Sequence, residues 1–189
     1  ISACLVGSEM CIRDSLKPAR GRMEVLSETK NKALVIIDYA HTPAALKSAL
    51  KSIQEIIGRE RIITLFGCGG DRDKNKRKIM GEIANEYSDI VIVTDDNPRN
   101  EIPSNIRSEI LSGCPSATEI PNRDKAIKYA VSLLKKNDLL LIAGKGHETF
   151  QAVGIETLPF DDYTVAKEAI KNIEKSGIIN WSLYGQKKI

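Results

Sequence analysis

Residues 33–70 read ALVIIDYAHTPAALKSALKSIQEIIGRERIITLFGCGG, and this stretch decides the fold. ALVIID at 33–38 is a continuous apolar, β-branched run, the pattern of a strand covered on both faces. Pro43 then opens a helix with apolar positions Ala45, Leu46, Ala49, Leu50, Ile53, Ile56 and Ile57. Thr42 is placed to cap it and Gly58 to stop it. RIITLF at 61–66 is the next strand, followed by a glycine-rich turn at 67–70. A strand, a helix and a second buried strand in immediate succession make a βαβ unit, which requires parallel strands and a right-handed crossover.

The same alternation continues outward. Helical spacing runs through Ile79, Met80, Ile83 and Ala84 within 76–87, and DIVIVT at 89–94 is a third strand. Helices are expected at 102–112 and 123–135, with Pro115 and Pro121 between them. DLLLIA at 138–143 is a fourth strand, 151–160 a strand pair and 163–175 a closing helix. On the other side, 21–26 reads as a further strand returning through a turn at 27–32. The fold class expected is therefore α/β, a Rossmann-like, mostly parallel sheet flanked by helices.

Composition narrows the function classes. With 28 basic against 25 acidic residues the formal charge is +3, too balanced for a nucleic-acid footprint, and the run from Lys74 to Lys78 reads as a solvated helix start. The apolar run at 139–143 is far short of the ~20 residues that span a bilayer, so no membrane partner is expected. Cys4, Cys11, Cys68 and Cys114 form no CxxC pair, which suits reduced thiols in a cytoplasmic protein without a metal site. The first residue is Ile1, and residues 5–15 read LVGSEMCIRDS, the translation of a common transposase sequencing adapter. Residues 1–15 are accordingly expected to be non-native, residues 16–175 to form one domain, and residues 176–189 to be a tail of uncertain origin.

In open parallel sheets, ligands bind beyond the carboxyl ends of the strands. Four polar loops stand there. Asp38, Tyr39 and His41 follow the first strand, where an acid can take a ribose hydroxyl and an aromatic ring can lie against a base; simple helix capping is an equal reading. GCGGDRD at 67–73 offers Arg72 as a planar fork for a carboxylate, against the plainer reading of a surface ion pair with Asp71 or Asp73. DDNPRNE at 95–101 presents Asp96, Asn97 and Arg99 on a turn stiffened by Pro98. GKGHE at 144–148 adds Gly144 for close approach and Glu148 as an ammonium acceptor, with Lys145 as a weak phosphate-lysine signal or an ordinary turn residue. No GxxxxGK[ST] P-loop occurs. Both charge signs on one edge suit a small zwitterion, with a nucleotide beside it as a further option.

GRME (21–24), DYAHTP (38–43), GCGGDRDKNKR (67–77), DDNPR (95–99) and GKGHE (144–148) occur here in that order. In this the chain resembles the Mur ligases, of the MurE type that adds a third residue to UDP-N-acetylmuramoyl-L-alanyl-D-glutamate in peptidoglycan synthesis. The resemblance covers residues 21–175 and identifies a C-terminal domain; Lys78 departs from it, standing where the family more often has Pro. It implies that Arg72, Asp96, Asn97, Pro98, Arg99, Gly144 and Glu148 bind the incoming diamino acid, and that Arg22, Asp38 and His41 lie near the nucleotide. The Arg99 form of the loop goes with meso-diaminopimelate, whose second carboxylate lysine lacks; an unpaired buried Arg99 would disfavour lysine.

The family forms an acyl phosphate with ATP and Mg²⁺, which a diamino acid's amine then attacks. Catalytic residues, P-loop and metal ligands are implied to lie in a central domain outside this chain, which would make the chain a monomeric fragment inactive by itself. A lysine-adding ligase, a folate polyglutamate synthetase and a non-catalytic amino-acid-binding module remain as alternatives.

Overall fold

The computed structural model describes residues 19–29, 33–55 and 61–175. The non-native reading of residues 1–15, the tail at 176–189 and the helix stop at Gly58 lie outside the described residues. The strands are β1 (Glu24–Glu28), β2 (Leu34–Asp38), β3 (Ile62–Phe66), β4 (Ile90–Val93), β5 (Thr118–Glu119), β6 (Leu139–Ala143), β7 (Phe150–Val153) and β8 (Glu156–Pro159). The helices are α1 (Pro43–Gln54), α2 (Asn75–Tyr87), α3 (Pro103–Leu111), α4 (Arg123–Ser132) and α5 (Asp162–Lys175).

Six strands form one sheet in the order β1-β2-β6-β3-β4-β5. All neighbours are parallel except β1, which pairs antiparallel with β2. The expected mostly parallel α/β sheet is what forms, and the unbroken apolar runs have their cause in burial on both faces. Ile36, Phe66, Val93 and Leu141 face Leu46, Leu50, Met80 and Ile110 of α1, α2 and α3. Val35, Ile37, Leu65, Ile92, Leu140 and Ile142 face Ile127, Val131, Ala166 and Ile170 of α4 and α5. Phe66 and its neighbours in this core are fully shielded, each worth roughly 1.5–3 kcal/mol of transfer free energy.

Local chemistry sets the ends. The Thr42 hydroxyl accepts from the Ala45 N–H, so α1 begins at Pro43 as expected. Asn122 caps α4 in the same way through the Lys125 N–H. Strand β5 was not expected from the sequence: it is two exposed residues long and carries no apolar pattern. Strands β7 and β8 form a separate two-stranded hairpin. Among the described residues, no helix is long and apolar enough to cross a membrane.

Candidate functional site

Because β2, β3, β4 and β6 run parallel, the loops that follow them emerge at one sheet edge. Between them lies a cleft of about 660 Å³. Its lining includes His41, Arg72, Asp96, Asn97, Arg99, Gly144 and Glu148, so most of the expected diamino-acid residues share one wall system. Pro98, Arg22 and Asp38 are not in that lining.

The loops after β3 and β4 are laid against each other by backbone contact. The Gly70 N–H donates to the Asn97 carbonyl at 2.8 Å, and a Cβ on Gly70 would sit 1.9 Å from the Pro98 carbonyl oxygen. Glycine is thus a steric requirement there, and Pro98 shapes the loop without lining the cleft. Arg99 adopts φ +51°, a left-handed conformation that a side chain rarely takes. Its backbone is pinned by the hairpin: Arg99 N–H donates to Ala152 O at 3.1 Å, and Gly154 N–H donates to Arg99 O at 2.7 Å.

The Arg99 guanidinium donates from Nη1 to Gly70 O at 2.8 Å and to Asn97 O at 3.5 Å. Among the described residues no carboxylate pairs with it. This modifies the basis expected for selectivity: Arg99 is part-buried and hydrogen-bonded to carbonyls, rather than a buried charge without partners. Arg72 is exposed and stands beside the same Gly69 that the Arg99 guanidinium approaches. Among the described residues it makes no ion pair with Asp71 or Asp73; Asp71 instead accepts from the Asn100 side chain at 2.9 Å.

The other wall is acidic. Asp96 is buried, and its Oδ1 has no hydrogen-bond partner, lying 3.3 Å from the Lys145 ammonium. Glu148 accepts from Asn97 Nδ2 at 2.9 Å and from the Tyr39 hydroxyl at 3.5 Å. Burial, and next the Glu148 carboxylate, raise the Tyr39 phenol above its ordinary value. Gly144, at φ +112°, brings the backbone past Asp96.

The residues expected near a nucleotide gather around Tyr39, which sequence reading noted only in general terms. Its ring centroid lies 4.5 Å from that of His41 and 5.1 Å from that of His147, with the Arg22 guanidinium 5.9 Å away. Asp38 has local partners already: its two oxygens accept from Met23 N–H and Ala40 N–H, each at 2.8 Å. That is the structural alternative, realised as loop bracing, since the helix cap itself is Thr42.

Two other participants, Lys76 and Arg77, were missed, and a third, Lys145, was read differently. Lys76 lines the cleft and donates to His41 O at 2.8 Å. Arg77 is fully buried beneath the β3 loop, donating to Glu101 through both terminal nitrogens and to Glu109. Lys145, read from the sequence as a weak phosphate signal or a turn residue, is fully buried; the turn itself forms, with the Glu148 N–H donating to Lys145 O at 2.9 Å and His147 exposed. Alternating charge within a motif hides such partners from sequence alone. Among the described residues no group of three or more His, Cys, Asp or Glu could hold a metal ion. Burial pushes the Cys68 thiol up to about 12, leaving it unreactive.

Comparison with known proteins matches this architecture. The family model for the Mur ligase glutamate ligase domain matches residues 21–146. The chain is 52% identical over 165 residues to a UDP-N-acetylmuramoyl-L-alanyl-D-glutamate--2,6-diaminopimelate ligase of Agrobacterium fabrum, covering 87% of this chain and 34% of that protein. A ligase of the same name from Rickettsia rickettsii is 50% identical over 159 residues, covering 82% and 32%. The chain thus spans about a third of the length of these curated relatives. A solved structure of a ligase of that name superposes with TM-score 0.78 at 34% identity, covering 91% of this chain and 37% of the other. Escherichia coli FolC in complex with ADP, at TM-score 0.56 and 19% identity over 84% of this chain and 33% of that one, shares the fold alone. With the family model spanning both ends of the parallel sheet and half of the aligned positions shared with ligases of one name, the chain belongs to the Mur ligase family.

Proposed function

We propose that this chain is the amino-acid-binding part, over residues 16–175, of an ATP-dependent ligase that joins meso-diaminopimelate to UDP-N-acetylmuramoyl-L-alanyl-D-glutamate. The observation that carries this reading is the polarity of the cleft: Arg99 and Arg72 lie together beside Gly69, while Asp96 and Glu148 lie together against Lys145. A zwitterion with a second carboxylate is complementary to that pattern. Asp96 and Glu148 accept from an ammonium, while a guanidinium fork takes a carboxylate in a bidentate grip. Arg99 is suited to the distal carboxylate because its described partners are neutral carbonyls.

The role of these residues is orientation. Holding the diamino acid by both ends fixes its amine in one direction, which lowers the entropic part of the barrier to amide formation. When bound, ATP with Mg²⁺ would supply activation of the acceptor carboxylate. Arg22, His41 and Tyr39 suit the edge of such a nucleotide, being cationic and aromatic, whereas Asp38 already accepts two backbone N–H groups. The metal is assigned to ligands outside this chain. The chain by itself is proposed to be a cytoplasmic monomer without ligase turnover.

Calorimetric titration of the chain with meso-diaminopimelate and with lysine tests the reading. Meso-diaminopimelate should bind about tenfold more tightly or better, since a charged hydrogen-bonded pair contributes about 1.5–3 kcal/mol. Arg99→Ala should erase that margin. Equal binding of both ligands by the unaltered chain would refute the assignment, and the lysine-adding alternative predicts the reverse order.

A further inference from the structure

Lys145 is a fully buried cation at this edge, and it is absent from the lining of the cleft beside it. Its side chain has no exposed surface. Nζ donates to Asn97 Oδ1 at 2.8 Å and to Phe150 O at 2.7 Å. It also faces Asp96 Oδ1 at 3.3 Å and Glu148 Oε2 at 3.6 Å. One ammonium, with three donors, therefore joins the β4 loop, the β6 loop and the start of the hairpin.

The partners form an ordered chain of constraints. Asn97 Oδ1 receives both Lys145 Nζ and, at 3.0 Å, the Ala152 N–H. With two donors on its oxygen, the amide can present only Nδ2 to Glu148, which it does at 2.9 Å. The orientation of Asn97 thus decides where the Glu148 carboxylate stands in the cleft. The same Ala152 takes the Arg99 N–H on its carbonyl, so the hairpin carries the effect across to the basic wall.

We propose that Lys145 is a positioning residue: it sets the Asn97 amide, through it the Glu148 carboxylate, and holds the hairpin that supports Arg99. Its consequence for ligand binding rests on the amino-acid reading above, but the tie itself does not. Charge and position make opposite demands here. Removing the cation leaves Asp96 and Glu148 as neighbouring acids, which by Coulomb attraction alone would strengthen capture of an ammonium. Loss of positioning weakens it.

The test compares the 189-residue chain with Lys145→Met and with Lys145→Gln, which keeps N–H donors and guards against a variant that does not fold. Amide hydrogen exchange read by NMR, without ligand, should accelerate at least tenfold at Arg99, Ala152 and Gly154 in Lys145→Met while the amides of β2, β3 and β6 hold. Unchanged protection at those three amides overturns the proposal, whatever the ligand does. Calorimetry with meso-diaminopimelate should show binding at least tenfold weaker, and Lys145→Met should add little in an Asn97→Ala background, because both act through one amide. Unchanged or tighter binding by Lys145→Met, or full additivity with Asn97→Ala, also overturns it. Absence of binding by the unaltered chain would count against the amino-acid reading and leave the exchange measurement to decide the tie.

Discussion

Arg77 and Arg99 reach the same pair of glycines from opposite sides, and their partners differ in charge. Arg77, beneath the β3 loop, donates to Gly69 O at 3.3 Å and is otherwise surrounded by the carboxylates of Glu101 and Glu109. Arg99, on the cleft wall, donates to Gly70 O and Asn97 O. A guanidinium on carboxylates is neutralised and becomes scaffold; one on carbonyl dipoles is oriented while keeping its charge for something else. Arg123 sides with Arg77, since it meets Asp162 at 2.7 and 2.8 Å with both side chains fully buried. Burial runs with the distinction, since Arg77 and Arg123 are fully shielded and Arg99 only partly, but it does not say what the charge is used for. The charge of its partners does.

The contrast breaks most visibly if the scaffold arginine is removed. Arg123→Met leaves Asp162 buried without its cation and should cost about 3–5 kcal/mol in urea unfolding. A loss under about 1 kcal/mol would put this pair with exposed ion pairs and undo its classification as scaffold.

A smaller effect is expected at Glu101. The Arg77 guanidinium, followed by the Asp71 N–H, holds its carboxyl down at about 2, against an ordinary value of 4.5. A carboxyl whose folded value is depressed contributes stability that is complete above the ordinary value and lost as the pH falls through the folded one. The melting temperature of the unaltered chain should therefore drop faster between about pH 4.5 and pH 2 than that of Glu101→Gln. Parallel pH profiles would show that the Arg77 pair is not what neutralises the floor of the loop.

The smallest effect on stability belongs to Arg99. Arg99→Ala removes bonds to carbonyls alone and should change unfolding free energy by under about 1 kcal/mol. Arg99→Gly should be more stable than Arg99→Ala by about 1 kcal/mol, because glycine takes φ +51° without a Cβ penalty. A several-kilocalorie loss in either variant would make Arg99 scaffold too and erase the comparison.

Much of the fold was legible from residues 33–70 outward because continuous burial leaves a direct trace: a strand covered on both faces is apolar along its length, as β6 is and as β2 and β3 are apart from Asp38 at the end of one and Thr64 within the other. Thr42 before Pro43 was equally readable, since a cap is a local hydrogen bond. Strand β5 was not, being two residues whose pairing with β4 is decided by position alone. Within the cleft, the polar residues at strand ends could be named because parallel strands deliver their loops to one edge. Their division of labour could not be. Asp38 and Lys145 look like ligand groups in sequence, yet one braces two backbone N–H groups and the other is fully buried.

By itself, then, the sequence determined the parallel α/β sheet, the edge where polar loops meet and the residues that gather there, since periodicity and motif order are local properties of the chain. Only the tertiary structure decided which charges are neutralised and which remain. Arg77 with Glu109, Arg123 with Asp162 and Lys145 with Asn97 are each separated by 32 to 48 residues, and their pairing exists only once the sheet has brought those segments together.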